Sequence, residues 1–64
     1  MSFGQLASDC GYHIPVSVLR SGAGYYIGTF EDGPVSRESA EYWRTASEAQ
    51  SCLDTGQWTQ RDHP

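Results

Sequence analysis

The 64-residue chain predicts an α+β domain, in which a small three-stranded antiparallel meander sheet carries one C-terminal helix packed on one face and a short N-terminal helix. Two runs of β-branched and aromatic residues flank a glycine-containing turn, a third segment follows an Asp-Gly turn, and a helix-capping pattern comes last. We expect a single domain over residues 1–64, with a short helix in 1–12, the sheet and long helix in 13–58, and a loose tail at 59–64.

The N-terminal helix is predicted from its two ends. Ser2 and Gln5 have the spacing of a capping box, and Gly11 is a residue type that ends helices. A helix of this length is not stable in isolation, so it must pack against the rest of the domain.

The next two runs, residues 16–20 and 25–30, are predicted to pair as an antiparallel hairpin. Pro15 has no backbone N–H to donate, which places the start of the first strand at a sheet edge. Side chains alternate along a strand, so Tyr26 and Phe30 should share one face of the second strand. If a helix covers the other face, this face is aromatic and uncovered.

The segment 35–44 admits two interpretations. As a helix it would be capped by Ser36, and as a strand it would complete a three-stranded meander. A new capping box begins at Thr45, which indicates that the chain is not already helical there. We therefore predict a strand, followed by a helix from Ala46 to about Asp54 that ends at Gly56.

Composition limits the classes of partner. The net charge is −4, from eight acidic residues and four arginines, with a pI near 4.7. Nonspecific nucleic-acid binding depends on basic side chains that neutralise phosphates, so the acidic balance argues against it and suits a basic partner. Two cysteines, no secretory pattern at the start and no long apolar run lead us to expect a cytoplasmic protein with reduced thiols and no membrane partner.

Metal binding and catalysis are poorly supported by the sequence. Cys10 and His13 are close, but Cys52 and His63 are too far apart for the two close pairs that structural zinc prefers. Asp9, Cys10 and His13 are near neighbours in sequence, and that alone does not make a catalytic triad. We predict no metal, no cofactor and no enzymatic activity.

Residues 24–49, GYYIGTFEDGPVSRESAEYWRTASEA, resemble small uncharacterised proteins of proteobacteria and their phages. The shared pattern is Tyr-Ile-Gly-Thr, then Gly-Pro-x-Ser-Arg-Glu-Ser, then an aromatic pair and a short helix. The resemblance implies a phage or prophage accessory protein and carries no activity. In layout the domain also resembles the sheet-plus-helix arm-binding modules of phage integrases. Those modules are basic, whereas this chain is acidic.

The leading functional prediction is a domain that binds another protein through the uncovered aromatic face. Arginine beside aromatic rings is typical of a binding hot spot. The predicted binding residues are Tyr26, Phe30, Arg37 and Trp43. An acidic rim that suits a basic patch on the partner would consist of Glu31, Asp32 and Glu41. The alternatives are a nucleic-acid-binding module that uses stacking rings and arginines, and a structural protein that self-associates as a homodimer.

Overall fold

The computed structural model describes residues 3–11 and 13–62. The element order is α1 (Gln5–Asp9), β1 (Ser17–Ser21), β2 (Gly24–Phe30), β3 (Pro34–Arg37) and α2 (Ala46–Thr55). The strands form one antiparallel sheet in the order β1-β2-β3, which confirms the predicted α+β architecture. Helix α2 packs against β1 and β2, and α1 packs against β3. Neither helix in the described ranges is long and apolar enough to cross a membrane.

The β1–β2 hairpin is in continuous register from Ser17 opposite Gly28 to Ser21 opposite Gly24. The turn is closed by the Ser21 hydroxyl, which accepts from the Ala23 N–H at 3.2 Å and donates to the Gly24 carbonyl at 3.2 Å. Gly24 has a φ of 130°, a backbone conformation that side chains other than hydrogen rarely allow. This turn therefore fixes the register that decides which side chains share a face.

The pairing assigns each sheet residue to one of two faces, because directly paired residues lie on the same side and neighbours alternate. One side, called the Tyr26 face, carries Leu19, Tyr26, Gly28 and Arg37. The opposite side, called the Ile27 face, carries Val18, Ile27, Thr29 and Ser36. Gly4, which precedes α1, lies directly against the Thr29 methyl group, so α1 is on the Ile27 face.

The third strand is shorter than the predicted range 35–44. β3 ends at Arg37, which is opposite Gly28, and pairing with β2 resumes only at Trp43, which is opposite Tyr25. The strand prediction is confirmed for the first part of the range and for the pairing at Trp43, and the helical alternative is excluded. Residues 38–42, in between, are not paired in regular register with β2.

A bulge accounts for the interruption. The N–H groups of Glu38 and Ser39 both donate to the Ile27 carbonyl, at 2.9 and 3.0 Å. The two paired positions are six residues apart on the β3 side, from 37 to 43, but only three residues apart on β2, from 28 to 25. The β3 side therefore contains three extra residues. An odd number of extra residues reverses the alternation, so Trp43 lies on the Ile27 face and not on the face of Arg37.

The C-terminal segment pairs with this bulge. The Ala40 N–H donates to the Thr59 carbonyl at 2.8 Å, and the Arg61 N–H donates to the Glu38 carbonyl at 2.8 Å. Ser39 and Gln60 form an antiparallel bridge between those bonds. Residues 59–61 are thus held to residues 38–40 by backbone hydrogen bonds, in contrast to the expected loose tail. Residues 63 and 64 lie outside the described ranges.

Helix α2 has the ends that the sequence predicts. The Thr45 hydroxyl accepts from the Glu48 N–H at 3.1 Å, and Gly56 ends the helix with a φ of 74°. Among the apolar residues of this helix, Ala49 is fully buried, Cys52 and Leu53 are half-buried, and Ala46 is exposed. The buried apolar core of the described residues consists of Leu6, Ala7, Ile14, Tyr26, Ile27 and Ala49.

Helix α1 is capped from a distance. The predicted cap, Ser2, lies outside the described residues, and the observed N-cap, Gly4, makes no side-chain bond. The carboxylate of Glu38 supplies the acceptors instead: it accepts from the N–H of Leu6 at 2.8 Å and from the N–H of Ala7 at 3.1 Å. These are orphan donors of a helix N-terminus, where a negative charge is favoured.

The Glu38 side chain is completely buried and fully hydrogen-bonded. Besides the two helix amides, it accepts from the Ser36 hydroxyl and from Gln60 Nε2, the latter at 2.8 Å. Burial raises the pKa of Glu38, but the hydrogen bonds from Ser36, the Leu6 N–H, Gln60 and the Ala7 N–H outweigh it, so the net pKa is lowered. One charged group therefore joins α1, β3 and the C-terminal segment.

Candidate functional site

The candidate site is a cation–aromatic arrangement on the Tyr26 face, called here the Arg37 cluster and formed by Tyr26, Arg37 and Tyr42. The Arg37 guanidinium carbon lies 4.7 Å from the centre of the Tyr42 ring. Arg37 Nη1 also donates to the Tyr42 hydroxyl. Two contacts with one tyrosine restrict the position of the guanidinium.

The floor of the cluster is Tyr26. Its ring meets the Tyr42 ring edge-on, with centroids 6.0 Å apart and an interplanar angle of 66°. The Tyr26 ring also covers Gly28, where an added Cβ would stand 2.8 Å from a ring carbon. Tyr26 is 8% exposed and Tyr42 is 38% exposed. Tyr26 therefore supports the cluster from within, while Tyr42 and Arg37 present it outward.

Arg37 keeps hydrogen-bonding capacity in this arrangement. Its Nε is buried and has no acceptor among the described residues. The residue as a whole is half-buried, so part of it reaches solvent. A guanidinium has donors only, so a partner would have to supply an acceptor, such as a carboxylate or carbonyl oxygen, to an N–H group of Arg37 other than the buried Nε.

The four predicted binding residues do not form one surface. Tyr26 and Arg37 are together in the Arg37 cluster. Phe30 is at the end of β2, past a register shift at Thr29, and is 54% exposed. Trp43 is half-buried on the Ile27 face, because the bulge reverses the alternation. The expectation that Trp43 shares a face with Arg37 is therefore corrected.

Tyr42 takes the place that Trp43 was expected to occupy. The sequence does contain a signal, since Tyr42 and Trp43 are adjacent aromatic residues and adjacent strand residues point to opposite faces. Which of the two joins Arg37 depends on whether the number of bulged residues is odd or even. No local pattern in the sequence specifies that number.

The predicted acidic rim also divides. Glu31 and Asp32 are exposed in the turn between β2 and β3. Glu41 is used internally: its carboxylate accepts from the Thr59 N–H at 2.9 and 3.0 Å. Burial raises the pKa of Glu41, but the bonds from Thr59 outweigh it and lower the pKa overall. No such internal bond engages the carboxylates of Glu31 and Asp32 within residues 3–11 and 13–62.

The residues weighed for metal binding are not assembled. Within residues 3–11 and 13–62, no three His, Cys, Asp or Glu side chains lie close enough together to hold a metal ion, and His63 is outside that part of the chain. Cys10 is an exposed free thiol and Cys52 a half-buried one. No protein-family model, no curated protein and no solved structure matches the chain.

Proposed function

We propose that this domain is a cytoplasmic accessory protein, of the phage or prophage type, that binds another protein and contacts it through the Arg37 cluster. The observation that carries the proposal is the fixed position of the Arg37 guanidinium over the partly exposed Tyr42 ring. Arginine and tyrosine are among the residue types most enriched at interface hot spots.

Preorganisation strengthens this argument. A free arginine loses side-chain entropy when it binds, at about 0.5–1.5 kcal/mol for each flexible side chain that is immobilised. Arg37 has already lost much of that freedom, because Tyr42 holds its guanidinium from the ring face and from the hydroxyl. The net charge of −4 favours a protein partner over a nucleic acid, since phosphates would be repelled at long range.

The experiment is capture of partners from bacterial lysate with the immobilised intact domain and three variants. Arg37→Ala and Tyr42→Ala each remove half of the cation–aromatic contact. Arg20→Ala is the matched control, because it removes a similar arginine–tyrosine contact from the other face of the sheet. The guanidinium carbon of Arg20 lies 5.9 Å from the centre of the Tyr25 ring, and both residues are on the Ile27 face. Circular dichroism of each variant verifies that it is folded.

We expect one or more proteins to be retained equally by the wild type and by Arg20→Ala. Truncation of a hot-spot residue costs about 2 kcal/mol or more, so Arg37→Ala and Tyr42→Ala should each weaken retention about 30-fold. Equal retention by all four forms would remove the Arg37 cluster from the interface. Recovery of nucleic acid in place of protein, or a dimer in sedimentation analysis with no second protein, would favour the alternative functions.

A further inference from the structure

A second surface lies on the other side of β3 from the Arg37 cluster. It is a cleft of about 420 Å³ between α1 and the connection from β2 to β3. One wall comes from α1 and its C-terminal end, through Leu6, Ala7 and Cys10. The opposite wall comes from residues 31–36.

The lining of this cleft combines two kinds of chemistry. Leu6 and Ala7 are buried apolar residues and Val35 is half-buried, so part of the lining is aliphatic. Glu31 and Asp32 are exposed acidic residues of the same lining. A side chain that matches both has an aliphatic stem and a positively charged head, which describes lysine and arginine.

The electrostatic field of the cleft is set by these two carboxylates. The positive N-terminus of α1 is already neutralised by the buried Glu38 carboxylate, which accepts from the first-turn amides of Leu6 and Ala7. The protein as a whole carries four more negative than positive charges. An anionic group would therefore be repelled, and a neutral apolar group would leave the carboxylates unused.

The walls of the cleft are formed before any partner arrives. Glu38 fixes α1 to β3 through hydrogen bonds at both. The turn is closed by the Glu31 N–H, which donates to the Gly33 carbonyl at 2.9 Å, and Asp32 has a φ of 56°. A preformed site loses less conformational entropy on binding.

We infer that this cleft receives a lysine or arginine side chain from the protein partner, with its stem against the aliphatic part of the lining and its charge at Glu31 and Asp32. The inference adds a chemical specificity to the proposed function and rests on it for the source of the side chain. The cleft and the Arg37 cluster are on opposite faces of β3, so each can be tested without the other.

The test uses capped tripeptides as probes in nuclear magnetic resonance titrations of the isotope-labelled intact domain. The cationic probes are acetyl-Gly-Arg-Gly-amide and acetyl-Gly-Lys-Gly-amide. Their neutral counterparts carry citrulline and Nε-acetyl-lysine. We expect saturable shifts of the Leu6 and Ala7 amides and of residues 31–36 with at least one cationic peptide, at millimolar concentration, and none with its neutral counterpart.

A matched pair of double variants decides whether the turn carboxylates are responsible. Glu31→Gln with Asp32→Asn removes both charges, and asparagine tolerates the positive φ at position 32. Asp54→Asn with Asp62→Asn removes two exposed charges that do not line the cleft. Exposed charge pairs are each worth a few tenths to one kcal/mol, so the first pair should weaken binding about fivefold and the second should not.

Three outcomes would overturn the inference: no shift with either cationic peptide, equal shifts with the neutral peptides, or equal weakening in both double variants. The titration needs no natural partner. If it fails while lysate capture still depends on Arg37, the cleft inference falls and the proposed function stands. If the titration succeeds but no protein is captured, the cleft is a cation site and the proposed function falls.

Discussion

Replacing Glu38 with glutamine tests the buried carboxylate that holds α1, β3 and the C-terminal segment together. Glutamine keeps the size of the side chain and one acceptor oxygen, but it turns the other oxygen into a donor. The carboxylate accepts four hydrogen bonds, two on each oxygen: Leu6 and Gln60 on Oε1, and Ala7 and Ser36 on Oε2. The variant therefore loses about half of them.

The expected magnitude follows from these bonds. Hydrogen bonds to a charged group contribute about 1.5–3 kcal/mol each, and burial of a neutral amide costs less than burial of a carboxylate. We expect Glu38→Gln to lower the free energy of unfolding by about 2–3 kcal/mol. That is most of the roughly 3–5 kcal/mol that a core of this size supplies, so the variant should be partly unfolded at room temperature.

The same group gives the protein a pH dependence with a defined sign. The pKa of Glu38 is lowered in the folded state from its ordinary value of 4.5. Its contribution to stability is therefore complete above pH 4.5 and is lost as the pH falls through the lower, folded pKa. The stability of the wild type should fall as the pH decreases below that value. The fall should be less steep in Glu38→Gln, because Glu41 is then the one remaining carboxyl of the two whose pKa is lowered.

The assay is urea unfolding followed by tryptophan fluorescence, repeated from neutral to acidic pH. Glu31→Gln is the control, since it removes one exposed charge and leaves the backbone bond of that residue intact. Gln60→Ala is a milder variant that stays measurable, with an expected loss of about 1–2 kcal/mol. An unfolding midpoint in Glu38→Gln equal to that of Glu31→Gln, or an unchanged pH slope, would refute the reasoning.

Three other predictions concern packing and exposure. Gly28→Ala should destabilise the domain by about 1–3 kcal/mol, because its methyl group would collide with a β3 carbonyl and the Tyr26 ring; an unchanged melting temperature would contradict this. Leu53→Ala should cost about 1–2 kcal/mol in urea unfolding, since the side chain is half-buried, and a larger loss would place it fully in the core. Under native conditions a thiol reagent should label Cys10 faster than Cys52, and labelling in the opposite order would dispute their assigned exposures.

The sequence predicted best those elements whose signals are local. Helix α2 follows a cap at Thr45 and ends at Gly56, as expected, because both signals act within one turn of the helix. The β1–β2 hairpin was likewise predictable from two apolar runs and a glycine-containing turn.

The features that escaped prediction depend on residues far apart in the chain. The cap of α1 comes from Glu38, which is 32 positions from Leu6, and no short motif connects them. The bulge that carries Trp43 away from Arg37 is stabilised by backbone bonds to β2 and to residues 59–61. The sequence supplied Arg37 and Tyr26 as site residues, but tertiary pairing decided that Tyr42 joins them.

The long separations around Glu38 have a consequence for the order in which the chain folds. Its carboxylate joins residue 6 on one side and residue 60 on the other, at separations of 32 and 22 positions. Contacts between distant positions require large loops to close, which slows folding. The β1–β2 hairpin and α2 can form early from nearby residues. We expect the carboxylate to be enclosed last, when both ends of the chain reach it, so that during synthesis Glu38 stays hydrated until the residues around position 60 have left the ribosome.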